Sequence, residues 1–238
     1  STNLQRNYDA STRGYRTSWS GIDVSCEACH GPGSNHAAWA TDPESVRGEA
    51  GQLGLVVQFD ERRGVNWAID ASTGRPSRSR ALASSRELDI CARCHSRRGQ
   101  VWNEYTAGQP IGETHRVALL DQGLYFPDGQ IRDEVYEYGS FLQSRMHAKG
   151  VRCSDCHDSH SLQLVKEGNA LCLQCHEGGT RMGWKAGTHQ SNDVGCTSCH
   201  HVMDARSATA LLIKDTAADA CYTCHGDVKL EMNKMSHH

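Results

Sequence analysis

Every one of the twelve cysteines in this 238-residue chain belongs to a C-x-x-C-H motif. The six motifs are Cys26-Glu-Ala-Cys29-His30, Cys91-Ala-Arg-Cys94-His95, Cys153-Ser-Asp-Cys156-His157, Cys172-Leu-Gln-Cys175-His176, Cys196-Thr-Ser-Cys199-His200 and Cys221-Tyr-Thr-Cys224-His225. Two thiols at this spacing can form thioethers to the two vinyl groups of one haem, and the histidine that follows is then placed to ligate the iron. Zinc ribbons use C-x-x-C in pairs and have no reason to put histidine after each, and a thioredoxin-like redox site occurs once, in a βαβ setting. The pattern predicts six covalently attached haem c groups and six proximal ligands. Zinc and disulfides are the weaker alternatives.

Each iron needs a sixth ligand or an open site. Of fourteen histidines, the six proximal ones leave His36, His115, His147, His160, His189, His201, His237 and His238. That exceeds what full bis-histidine ligation requires, which favours low-spin electron-transfer haems over catalytic ones. His36 follows a tight Gly-Pro-Gly turn expected to aim it away from its own haem toward another. His147 and His189 stand six or seven residues before a motif, and His160 stands three after one. His115 is isolated in a long interval, where a histidine is often only a satisfied polar residue. His201 adjoins a proximal ligand, and stereochemistry disfavours its reaching a second iron. His237 is taken as the terminal ligand candidate, with His238 as its alternative and an expression-tag remnant as the competing origin of the pair.

The elements that must hold these residues are sparse in apolar material. Hydrophobic residues make up 37%, only three are Phe, and mean hydropathy is −0.61. Such a chain has a thin core, and porphyrins would supply the missing apolar surface, so the haem-free chain is expected to be largely unfolded. The formal charge of −3 omits haem propionates. From Glu61 to Arg98, the residues Arg62, Arg63, Arg75, Arg78, Arg80, Arg86, Arg93, Arg97 and Arg98 face only Glu61, Asp70, Glu87 and Asp89. A solvated basic face or docking loop is the first reading of this run, and guanidinium clamps on propionates the second. Basic and aromatic residues are not interleaved as nucleic-acid stacking would need.

No apolar stretch approaches a membrane span, and no charged-then-apolar signal segment opens the chain. Haem c is attached outside the cytoplasm, so a periplasmic or extracellular, mature or trimmed protein is expected.

Spacing sets the organisation. Long intervals separate the first three motifs, whereas the last four crowd between Cys153 and His225. The expected domains are 1-145, an N-terminal region carrying two haems, and 146-238, a compact C-terminal region carrying four. Leu53 to Phe59 and Val65 to Ile69, about Gly64, read as a short β-hairpin. Helix-like spacing covers Ser84 to Cys94, Gly139 to Lys149 and Ala205 to Cys221. The expected fold class is mainly α, with extensive irregular loops and a small β-hairpin, organised by its haem array.

The string Trp19-Ser-Gly-Ile-Asp-Val-Ser-Cys-Glu-Ala-Cys-His-Gly-Pro-Gly-Ser-Asn-His36 resembles the cytochrome c-554-type multihaem domain, as do Gly123 to Gln130, Gly139 to Ser144 and Gly150 to His160, which run into that group's doubled C-x-x-C-H module. This resemblance covers roughly residues 1-180 and implies distal-ligand roles for His36, His147 and His160. Val194 to His200 and Cys221 to His238 are more similar to decahaem cytochromes of outer-membrane electron conduits and to the pentahaem donor of nitrite reductase, in which the Ser-His-His string supplies an axial ligand and is followed by more chain. Both ends therefore look cut.

The expected function is electron transfer between redox partners outside the cytoplasm, with no chemistry of its own. One alternative is a subunit of a polymeric cytochrome filament, since a non-closing heterologous contact propagates. The other is reduction of a small nitrogen or sulfur oxyanion. That would require a five-coordinate haem, and no motif here replaces its histidine with lysine.

Overall fold

The computed structural model describes residues 1–46, 53–102, 105–118, 120–126, 131–176 and 194–198. The chain divides into two compact units, Ser1–Arg63 with Leu82–Val117, and Gly64–Ala81 with Ala118–His238.

In the first unit, β1 (Tyr8–Asp9) pairs antiparallel with β2 (Gly14–Tyr15). Two short helices follow, α1 (Cys26–His30), which is itself the first motif, and α2 (Ser34–Thr41). Gly31, at φ 76°, ends α1 and lets the chain turn into Pro32. The longest regular element among the described residues is α3 (Arg86–His95), which ends on the second motif. Its buried face presents Leu88, Ile90 and Ala92, and its first turn receives the Glu61 carboxylate, which accepts from the Glu87 amide at 3.0 Å and the Ser84 hydroxyl at 2.8 Å. An anion there satisfies otherwise orphaned donors and complements the helix dipole. After α3, β5 (Arg98–Gln100) pairs antiparallel with β6 (His115–Val117), so that Gln100 lies opposite His115. Val57 and Ile111 complete the buried apolar set of this unit.

The second unit begins with β3 (Trp67–Asp70), paired with β4 (Arg75–Arg78). Later come α4 (Tyr136–Leu142), α5 (Arg145–Ala148), a 3₁₀ turn at Cys153–Asp155, the two-residue hairpin β7 (His157–Asp158) with β8 (Gln163–Leu164), and α6 (Asn169–Leu173). Among its described residues, the buried apolar ones are Tyr125, Val135, Phe141 and Leu171. Gly139 is fixed by packing: a Cβ there would run into the Tyr125 hydroxyl.

Three of these hairpins turn on the same device. Asp9, Asp70 and Asp158 each accept hydrogen bonds from backbone amides two and three residues on, with Ser11 and Ser72 adding hydroxyl bonds of 2.6 Å. This is the Asx turn that short polar side chains favour. The tetrapeptide Asp-Ala-Ser-Thr occurs at both residues 9–12 and 70–73, and it makes the same turn twice.

The expected hairpin between Leu53–Phe59 and Val65–Ile69 does not form. Residues 67–70 are a strand, but they pair with residues 75–78. Leu53 and Gly54 have φ of 54° and 69°, which no strand accommodates. The expected helix over Gly139 to Lys149 is two helices, because Ser144 is extended (ψ 150°) and caps α5, accepting from the His147 amide at 3.1 Å. The helix expected before the second motif is present as α3. Ala205 to Cys221 lies outside the described residues.

Candidate haem-attachment sites

The segment that fails to become a strand instead serves two histidines. The His30 carbonyl accepts from the Val57 amide at 3.1 Å, and His30 Nδ1 bonds the Val57 carbonyl at 2.8 Å. Four residues earlier, the Leu53 carbonyl takes His36 Nδ1 at 2.7 Å. A carbonyl only accepts, so both Nδ1 atoms carry the proton and donate, and the ring lone pair able to bind a metal is on Nε2. Val57, 2% exposed, anchors this strap: Gly108 would drive a Cβ to 2.9 Å from Val57 Cγ2. Phe59 lies 5.2 Å from the His30 ring, and Trp39 stacks on His36 at 5.6 Å, one turn along α2.

The same unit holds the second motif and His115. Arg93, between the two cysteines of that motif, donates from Nη1 to the Ala28 carbonyl of the first motif at 3.1 Å, so the two motifs are physically tied. Burial raises the Cys29 thiol, with Cys94 adding to the effect. His115 is 8% exposed and shares a 2.8 Å hydrogen bond between Nδ1 and the Thr114 hydroxyl. Burial first, then Arg98 and Arg93, push its pKa down to about 4. It is therefore an uncharged imidazole at neutral pH, the form that binds a metal. His95 of the second motif is exposed.

In the second unit, the third, fourth and fifth motifs are joined in series. Gln174 Nε2 donates to the Asp155 carbonyl at 2.8 Å, and the Cys196 amide donates to Asn169 Oδ1 at 2.8 Å. Asp155 also accepts from the Arg152 amide at 2.8 Å and from the Trp67 indole at 3.4 Å, which fixes hairpin β3–β4 to the third motif. Burial pushes up the Cys172 and Cys175 thiols, the latter to about 11. His147, half-buried on α5, packs edge-on against Phe141 at 5.6 Å. Burial and Arg152 lower its pKa against a hydrogen bond to the Leu142 carbonyl. His157 and His176 are exposed, and His160, 85% exposed in its side chain, stands on the Asp158 turn with Nδ1 3.9 Å from that carboxylate. His189, Cys199, His200, Cys221, Cys224, His225 and His237 lie outside the described residues.

The residues present fit covalently held porphyrins. None of the nine described cysteines forms a disulfide, and among the described residues no three of His, Cys, Asp and Glu gather as an ion site. Apolar side chains next to the motifs are left in water: Ile22 and Val24 before the first, Val101 and Trp102 after the second, Leu162 after the third. A flat apolar group attached at each motif would cover such surface. Arg152 Nε is buried without a hydrogen-bond partner, and a guanidinium so placed can pair with a carboxylate. Sequence reasoning missed the carbonyl strap and the Arg93 tie. The Leu53-Gly54 pair was the available signal for the strap, since glycine beside a turn marks a backbone that leaves the strand region.

No helix among the described residues is long and apolar enough to cross a membrane. A family described as a doubled CXXCH motif matches residues 146–180 and 189–230. The multiheme cytochrome MtrA of Shewanella baltica (strain OS185) is 29% identical over 118 residues, covering 42% of this chain and 35% of that protein. The chain thus matches about a third of that relative's length. No solved structure matches. Histidines with one nitrogen committed to the backbone, uncovered apolar margins and these two likenesses converge: the chain is a multihaem c-type cytochrome with covalently bound haem c.

Proposed function

We propose that this protein carries electrons through six haems, one per motif, between redox partners in the periplasm or outside the cell, and that it catalyses no substrate chemistry. The observation that carries the reading is the strap that bonds both His30 and His36 at Nδ1, because it presents two Nε2 atoms as ready ligands, one proximal and one distal. Haem supplies the reversible one-electron Fe(III)/Fe(II) couple. The chain's part would be to supply two imidazole ligands to each iron and to hold the rings still, which would limit the reorganisation that accompanies each transfer. His36, His115, His147, His160, His189 and His237 are the proposed distal set. The MtrA likeness supports a role in electron transfer with redox partners.

The backbone carbonyls orient His30, His36 and His147, and burial keeps His115 uncharged. The links Arg93–Ala28, Gln174–Asp155 and Asn169–Cys196 hold successive motifs together within each unit, which favours short edge-to-edge distances between neighbours. The proposed fold is mainly helical and irregular, with two motifs in the N-terminal region and four in the C-terminal one.

Low-temperature EPR of the oxidised holoprotein, with haem quantified on the same sample, tests this. Six haems per chain with low-spin ferric signals alone are expected. A high-spin signal equal to one haem per chain would overturn the carrier reading and point to a substrate site.

A further inference from the structure

Arg93 has an unusual placement for a permanent charge. It lies inside the second motif, between Cys91 and Cys94, yet its Nη1 bonds the carbonyl of Ala28 inside the first motif at 3.1 Å. Its guanidinium carbon rests 3.9 Å from the centre of the Tyr105 ring, close enough for a desolvated cation–π contact. Nε is buried and has no hydrogen-bond partner. Its charge reaches the thiols of both Cys29 and Cys94, the second cysteines of the two motifs. Among the described residues no carboxylate forms an ion pair with it. Asp89, the acidic residue one turn earlier on α3, is occupied by the Ile111 amide and the Ser85 hydroxyl. Burial raises the Tyr105 phenol, so the ring under the guanidinium is a neutral one.

These contacts are all made by groups of the chain. They hold one cation, with no carboxylate partner among the described residues, where the first two motifs meet; water is partly excluded there, and charge acts at longer range than in solvent. Reduction of a haem removes one positive charge from it, so a neighbouring fixed cation favours the reduced form.

We propose that Arg93 is a positioning and tuning residue shared by the first two motifs, whose charge raises the reduction potentials of the two haems attached there relative to the others. This rests on the haem-binding reading above. It adds a direction: electrons on this protein settle preferentially in the first unit.

The test is a spectroelectrochemical titration of the full holoprotein, wild type against Arg93→Gln, Arg93→Lys and Tyr105→Leu, with haem content measured on each. In Arg93→Gln, two of the component potentials should shift negative while the rest stay in place, and Arg93→Lys should restore most of the shift. Tyr105→Leu, which frees the guanidinium but keeps the charge, should move the same two components by less. Unshifted potentials in Arg93→Gln, a uniform shift of all components, or an equal shift in Arg93→Lys would overturn the proposal. If Arg93→Gln fails to load haem, Tyr105→Leu decides, and unmoved potentials there would overturn it. Wild-type protein without covalent haem would instead refute the reading beneath it.

Discussion

The two histidines on the 53–57 strap show how a proposed ligand can be prepared before it meets a metal. An imidazole free to rotate and exchange tautomers loses both freedoms on ligation, whereas His30 and His36 have already given them up to the Val57 and Leu53 carbonyls. Gly54 is the residue on which this depends. Its φ is 69°, and a Cβ there would fall 2.5 Å from the Asn35 carbonyl oxygen and 3.0 Å from the His36 amide nitrogen. Gly54→Ala should therefore cost about 1–3 kcal/mol in backbone strain and displace His36. His36→Ala should convert one haem per chain from low-spin to high-spin ferric, and Gly54→Ala should do so in part. EPR with a thermal melt of each variant would read both, and an unchanged low-spin spectrum in His36→Ala would remove that residue from the ligand set.

At the scale of elements, the Asx turns make hairpins that are sensitive to acid. The Asp70 carboxylate, exposed and bonded by Ser72 and Thr73, titrates at about 2, and those of Asp9 and Asp158 are lowered by similar bonds. A carboxylate whose folded pKa lies below its unfolded value adds stability that is fully present above pH ~4 and lost as pH falls toward ~2. Amide exchange in the β3–β4 turn should speed up over that window, and Asp70→Asn should flatten the change. An exchange rate that does not respond to pH beyond its intrinsic dependence would show that the carboxylate bonds do not hold the turn. The turns also show what the sequence disclosed. Motifs and ligand candidates could be read directly, because their chemistry depends on residue type and short spacing, and α3 could be read because its apolar face repeats with helical period. The hairpin was misplaced because Val56, Val57 and Phe59 look like strand residues, while Arg75-Pro-Ser-Arg78 does not. What decided the matter was Asp70 with Ser72, Thr73 and Gly74, a turn signal stronger than either flank, and two positive φ values that no apolar pattern announces.

For the whole molecule, core material is scarce wherever it can be seen: the nine buried apolar residues among those described are too few to offset the conformational entropy of ordering the described residues. Each unit instead has attachment points in series with apolar margins still facing water. Haem is accordingly expected to complete the core. Protein made without haem attachment should lack a cooperative thermal transition and be cut by protease throughout, and the holoprotein should resist both. A cooperative melt of the haem-free chain would contradict this account. The strap has a last consequence, for mutational tolerance. Because main-chain carbonyls set the orientation of two histidines proposed as ligands, the instruction is carried by the length and path of the backbone. Exchanging the side chains of Leu53, Leu55 or Val56 leaves it intact, while gaining or losing a single residue there would erase it for both histidines at once.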